Sequence, residues 1–176
     1  MELPNVSYGI EDSGSASSQG DEDVFYPLFA TWLTDVLEET TQAIVLGGDA
    51  FKDSWGSPDV VGKAESRRSD IIKSPTSIVS AVMRIDSACL VTSIGRACSN
   101  KLFSHKSYLV IARNISREDL DRLYSLCLVF GIGLVTFSKE SHTQPDFQLL
   151  VHATKHEPVL FYTNEFVAKI EKELFS

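Results

Sequence analysis

No two cysteines in this chain are spaced as CxxC; the three present, Cys89, Cys98 and Cys127, stand far apart. That argues against a zinc ribbon and against a dithiol redox motif. Their flanks are mostly apolar, so they read as reduced, buried thiols of a cytoplasmic protein. Long apolar runs are missing as well. Nothing approaches the roughly eighteen residues of a membrane span, and the N-terminus shows neither the basic nor the apolar part of a secretion signal. No membrane partner is expected. Positive charge is scarce: 16 Lys and Arg stand against 24 Asp and Glu, a net charge of -8. A broad, nonspecific grip on nucleic acid needs clustered cations and is disfavoured. A local basic cleft is still compatible with this balance, because much of the acid lies in the first 23 residues and at Glu38–Glu39.

What is present suits one packed domain. The chain has 176 residues and is 43% apolar, enough for a real core. Residues 1–20 are rich in Ser, Gly and acid and are expected to form a flexible tail. Residues 21–176 form a single domain, with no internal repeat and no interdomain linker. Phe25, Leu28, Phe29, Trp32, Leu33 and Val36 recur at helical spacing, and Pro27 fits only a first turn, so a helix starts near Val24. Strands follow in "AIVLGGDAF" and "SPDVVGKAE", then in "TSIVSAVMRID", whose β-branched, apolar run suits a central strand. "ACLVTSIGRACSNKLFS" is helical, with Leu90, Ile94, Cys98 and Leu102 as its apolar stripe. "SYLVIA" is a buried strand. "SREDLDRLYSLCLVFG" is a helix with Ser116 as N-cap and Gly131 at its C-terminal end. "IGLVTFS" and "PDFQLLVHA" are strands, and "EFVAKIEKELF" is a terminal helix. Repeated crossovers require that part of the sheet be parallel, with helices on both faces: an α/β fold with a mixed central sheet.

This arrangement resembles the PD-(D/E)XK nuclease superfamily, the restriction-endonuclease-like fold. Pro58-Asp59 opens the strand that would carry the Pro-Asp of the motif. "SAVMRID" stands where the pattern is roughly Ser-Ala-Glu-any-Lys-Ile-Asp, and "IGRACSNKLFSHKSYLVIA" follows, with Arg96 where a glutamine often opens the next helix. The resemblance runs from Phe25 to Phe137, and "LCLVFGIGLVTF" and "KHEPVLFYTNEF" look like the end of a bacterial subfamily. It implies a metal-dependent DNA endonuclease, in which acids on neighbouring strands hold Mg²⁺ and a lysine orients or deprotonates the attacking water. Residues two apart on a strand share a face, so the acid and the lysine both enter the site.

The chain departs from that pattern at its centre. Asp59 is retained, but Val82 holds the acid position and cannot ligate a metal. Arg84 holds the lysine position; a guanidinium keeps its charge and cannot act as a base. With Arg96, the set becomes one acid and two fixed cations, which favours an anion over Mg²⁺. The expectation is a degenerate, catalytically inactive pseudo-nuclease with no cofactor. It would bind DNA, RNA or a protein partner through the relic cleft, with Arg84, Arg96, Lys101, His105 and Lys106 as its cationic contacts. Two alternatives stand beside it. One is an active Mg²⁺ endonuclease that uses Asp59 with an acid displaced to Glu22, Asp23, Glu65, Asp70 or Asp86; Asp86 lies about 13 Å along the strand from Val82, too far to replace it. The other is a structural or homodimerising module whose cleft is filled by its own arginine pairs. Asp59 also suits a strand-opening turn, Val82 a core position, and Arg84 and Arg96 an ion network with Asp59 and Asp86. His152 and His156 follow a strand, where ligand spacing fails. Cys98 has no base beside it, and Gly131–Gly133 lacks a phosphate-loop pattern.

Overall fold

The computed structural model describes residues 22–47 and 54–176. Within them the order is α1 (Phe25–Asp35), β1 (Gln42–Val45), β2 (Val60–Ala64), β3 (Ser77–Arg84), α2 (Leu90–Asn100), β4 (Lys106–Ala112), α3 (Arg117–Phe130), β5 (Gly133–Phe137), β6 (Gln148–Val151), α4 (Leu160–Lys169) and α5 (Glu171–Leu174). The six strands lie side by side in sequence order. β1, β2 and β3 form an antiparallel meander. β4 and β5 then join in parallel through the crossover helices α2 and α3, and β6 returns antiparallel. The fold is α/β, with an open mixed sheet. The expected tail, residues 1–20, lies outside the described residues.

Alternation along the central strands sorts the core into layers. Val79, Ala81 and Met83 of β3, with Tyr108, Val110 and Ala112 of β4, pack under Phe25, Tyr26, Phe29 and Leu33 of α1. Val82, Leu109 and Ile111 face the other way, onto Ile94 and Ala97 of α2 and Leu123 and Cys127 of α3. Val61 and Ile78 pack with Phe103, and with Phe166, Ile170 and Leu174 near the C-terminus. The near-continuous burial of β3, β4 and β5 is what a two-sided sheet demands.

Several sequence expectations are corrected by this packing. The fully buried face of α2 is Ser93, Ile94, Ala97 and Asn100; of the expected stripe Ile94 is buried, while Leu90 and Cys98 pack at its margin, half-buried. Small residues there let the helix approach the sheet. The C-terminal helix begins at Leu160, soon after Pro158, and not at Glu165. Of the cysteines only Cys127 is buried; Cys89 is exposed, and all three are free thiols. The caps of α3 follow the sequence: Ser116 Oγ accepts from the Asp119 N–H at 3.1 Å, and Gly131 takes the left-handed conformation that ends the helix. Among the described residues no helix is long and apolar enough to cross a membrane.

Gly133 shows how tightly β4 and β5 meet. A Cβ there would lie 2.2 Å from the Tyr108 ring and 3.0 Å from the Ala153 backbone nitrogen, whereas Gly95 in α2 has open space around it. Gly133→Ala is expected to destabilise the fold by about 1–3 kcal/mol. Gly95→Ala, on an exposed helix interior, should stabilise it by up to about 1 kcal/mol. Urea denaturation of the two variants checks this; equal midpoints would contradict the close approach of Tyr108 to β5.

Candidate functional site

β2 starts at Val60, opposite Ala81 on β3. Beyond that pair β3 runs on, and its next backbone donors on the β2 side have no strand to meet. Two carboxylates take over the ladder. Asp59 Oδ2 accepts the Met83 N–H at 2.7 Å, and Glu22 Oε1, from just before α1, accepts the Ile85 N–H at 3.0 Å. One turn along, Tyr26 donates its hydroxyl to Glu22 Oε2 at 3.1 Å. The acids are therefore fixed by the backbone they satisfy.

Arg84 lies between them. Its Nη1 is 3.1 Å from Asp59 Oδ2 and 3.7 Å from Glu22 Oε2, and it also donates to the Met83 carbonyl. The two carboxylates are buried and the guanidinium is partly exposed: side-chain exposure is 1% for Asp59, 8% for Glu22 and 16% for Arg84. Asp59 Oδ1 is buried without a hydrogen-bond partner. Burial pushes the Asp59 carboxyl up to about 6, against the opposing pull of Arg84 and of the Met83 N–H; the nearby Glu22 pushes it further the same way. Burial first, then Asp59 and Glu22, raise the Tyr26 phenol well above its ordinary range, so it stays a donor.

Asp59 and Arg84 are thus brought together. Val82, fully buried, faces Ile94 and Ala97 in the apolar layer beneath α2. The other cationic candidates do not converge on this cluster. Arg96 is exposed on α2, away from the helix's inward face. Lys101 donates to the Phe130 carbonyl at 2.8 Å, at the C-terminal end of α3. His105 Nδ1 accepts the Ile78 N–H at 3.0 Å, and burial first of all holds its pKa below the usual imidazole value. Lys106 is 2.5 Å from Glu39, which also accepts from the Tyr108 hydroxyl at 3.0 Å.

The displaced-acid candidates divide in the same way. Glu22 reaches the site. Glu65 pairs with Lys63 at 3.0 Å, Asp70 accepts the Arg67 N–H at 2.7 Å, and Asp86 accepts the Ala88 N–H at 3.0 Å in the turn before α2. Asp23 is exposed. His156 sets its ring nitrogens against the Lys101 and His105 carbonyls, at 2.8 Å and 3.2 Å. Among the described residues no three His, Cys, Asp or Glu side chains gather as a metal-holding group. Tyr26 was not singled out from the sequence; its spacing of four from Glu22 on a helical segment was the available signal.

The donor set can be tested against Mg²⁺. A hard divalent ion wants six oxygens. Here two carboxylates are present, but a guanidinium already shares their oxygens, the valine opposite Asp59 offers none, and the fixed charge of Arg84 would repel a cation. The residues do not fit the metal. No family model, curated protein or solved structure matches the chain.

Proposed function

We propose that this chain is a restriction-endonuclease-like domain, related to the PD-(D/E)XK nucleases, that does not cut nucleic acid and serves as a protein-interaction module. The antiparallel β1–β2–β3 meander followed by parallel β4 and β5 supports the fold assignment. So does the meeting of Asp59, the end of β3 and Glu22 at one point. The single observation that carries the functional reading is Arg84, whose Nη1 sits 3.1 Å from Asp59 and 3.7 Å from Glu22. A tethered cation is held where an exchangeable one would need to bind. The former nuclease centre then does a structural job: it ties the start of α1 and the entrance of β2 to the end of β3.

An anion-binding cleft would need unengaged cations gathered in one place; Arg84, Lys101, His105 and Lys106 are each committed to a local partner, and Arg96 is exposed on α2, away from the cluster. That favours a protein partner, met elsewhere on the surface, over DNA or RNA. The test is cleavage of plasmid DNA with Mg²⁺ or Mn²⁺, alongside calorimetric titration of each metal. Neither cutting nor metal heat is expected from the unmodified protein. Robust cutting that Asp59→Ala abolishes would instead establish an active nuclease that uses Asp59 with Glu22.

A further inference from the structure

The charge pattern of α3 stops halfway along the helix. Charged residues crowd positions 117–122, and none follows from 123 to 138. Leu123 and Cys127 turn inward, but Leu128, Val129 and Phe130 end the helix in solvent. α4 begins in the same way, with Val159, Leu160 and Phe161 all exposed. The two ends meet at one turn. Lys101, just after α2, donates to the Phe130 carbonyl at 2.8 Å, and the Phe103 carbonyl accepts the Thr163 hydroxyl at 3.0 Å. Leu102, half-buried, lies between them. The chain leading to α4 is held to the same place, because the Thr154 N–H donates to the Gly131 carbonyl at 3.1 Å. These six exposed side chains leave on the order of 600 Å² in water, the upper end for the largest apolar patch on a monomer and close to one partner's share of a small interface.

The start of α4 adds a polarity to this surface. Val159 has the extended backbone of an N-cap, yet among the described residues no side chain caps the helix, and the first turn holds no acid. Its N–H groups and the positive end of its dipole face outward. Lys101 and Lys155 bring fixed positive charge to the junction. Of the acids on the same segments, Glu157 faces His105 at 3.9 Å and Glu165 lies more than a turn further along α4. An acidic chain thus carries an apolar face whose centre is positive. Such a break in local sequence rules is expected where a protein works rather than where it only folds.

We infer that this face takes an apolar peptide segment of another protein, flanked by carboxylates. The segment's apolar side chains cover the end of α3 and the start of α4. Its carboxylate accepts from the N–H groups of the first turn of α4 and faces Lys101 and Lys155. Charge complementarity selects this partner over a second copy, in which a two-fold axis through the face would set the same positive groups against each other. The inference rests on the reading of the chain as an interaction module and names the surface and the partner's chemistry.

Selection from a displayed library of short random peptides, with the full chain as bait, tests it. Enriched peptides should carry Leu, Phe or Trp beside Asp or Glu, and a synthetic copy of one should bind in fluorescence anisotropy. Leu160→Asp with Phe161→Asp, and separately Val129→Asp, should weaken that peptide by roughly tenfold or more while leaving the far-ultraviolet spectrum unchanged, since all three side chains are exposed. Val159→Asp gives α4 a cap of its own; it should raise the melting temperature and still weaken the peptide. A selection that enriches no acidic apolar sequence, or a peptide indifferent to these changes, overturns the proposal. So does self-association, or binding to phosphatidylserine vesicles, that Leu160→Asp with Phe161→Asp abolishes. Plasmid cleavage by the same proteins reports on the Asp59 site alone, so cutting would overturn the non-cutting reading and leave the result of the peptide selection standing.

Discussion

Arg84→Met is expected to cost about 3–5 kcal/mol of folding stability near pH 8, because removing one partner strands the other's charge in a dry site. Asp59 and Glu22 would remain, buried and mutually repulsive, with only backbone and phenol donors to hold them. The loss should shrink on acidification, as Asp59 takes up a proton and the charge disappears. The triple change Arg84→Met, Asp59→Asn, Glu22→Gln should recover most of the stability, since an uncharged, hydrogen-bonded cluster avoids the desolvation penalty. Urea denaturation at several pH values separates these outcomes. A small, pH-independent effect of Arg84→Met would mean that the ion network does not bear on the fold.

Asp59 in the unmodified protein gives the same experiment a second readout. Its folded-state pKa of about 6 lies above the ordinary value of 3.8. The folded state therefore binds this proton where the unfolded state does not. The stabilisation is fully present below the unfolded value, and it is lost as pH rises through the folded one. Over that window the difference is roughly 3 kcal/mol at most. Asp59→Asn should remove this part of the pH dependence. A slope identical to that of the unmodified protein would place the titration elsewhere.

Val82→Glu is the second large effect. Val60 pairs with Ala81, and Asp59, just before β2, donates its N–H to the Ala81 carbonyl at 2.9 Å, next to residue 82. The valine is fully buried against Ile94, Ala97, Leu109 and Ile111. A glutamate there, without a cation, should destabilise the fold by about 3 kcal/mol or more. Combined with Arg84→Lys it sets a third carboxylate on the α2 side of β3, next to the strand end where Glu22 and Asp59 meet, and replaces the guanidinium by a shorter and more mobile ammonium. Mn²⁺ or Mg²⁺ should then raise the melting temperature in a concentration-dependent way, since a ligand that binds only the folded state stabilises it. Cleavage of plasmid DNA would be the fuller gain. A folded double variant with no affinity for metal would mean that Val82 and Arg84 do not stand in the positions of an eroded acid and lysine.

The order of elements was legible in the sequence because each carries its own local signal. The β-branched run from Ser77 to Arg84 demanded a central strand, and Ser116 and Gly131 marked the two ends of α3. The resemblance to the nuclease pattern put Asp59 and Arg84 near one another; they do pair, at 3.1 Å, with Asp59 standing just before β2 rather than within it. Local signals could not say which of several acids would complete the site. Glu22 lies 37 residues before Asp59 in the chain and reaches the site because α1 packs across the sheet. What draws it there is the unpaired Ile85 N–H left where β2 begins, a vacancy that exists only in the assembled sheet. Arg96 shows the converse: it was expected beside Arg84, but Ser93, Ala97 and Asn100 let α2 approach the sheet on another face and turned the arginine to solvent. The sequence by itself thus determined the strands, the helices and the apolar character of position 82 at the centre of β3. Only the tertiary structure decided that Asp59, Glu22 and Arg84 would engage one another, because burial and the geometry of three separate segments bring them together.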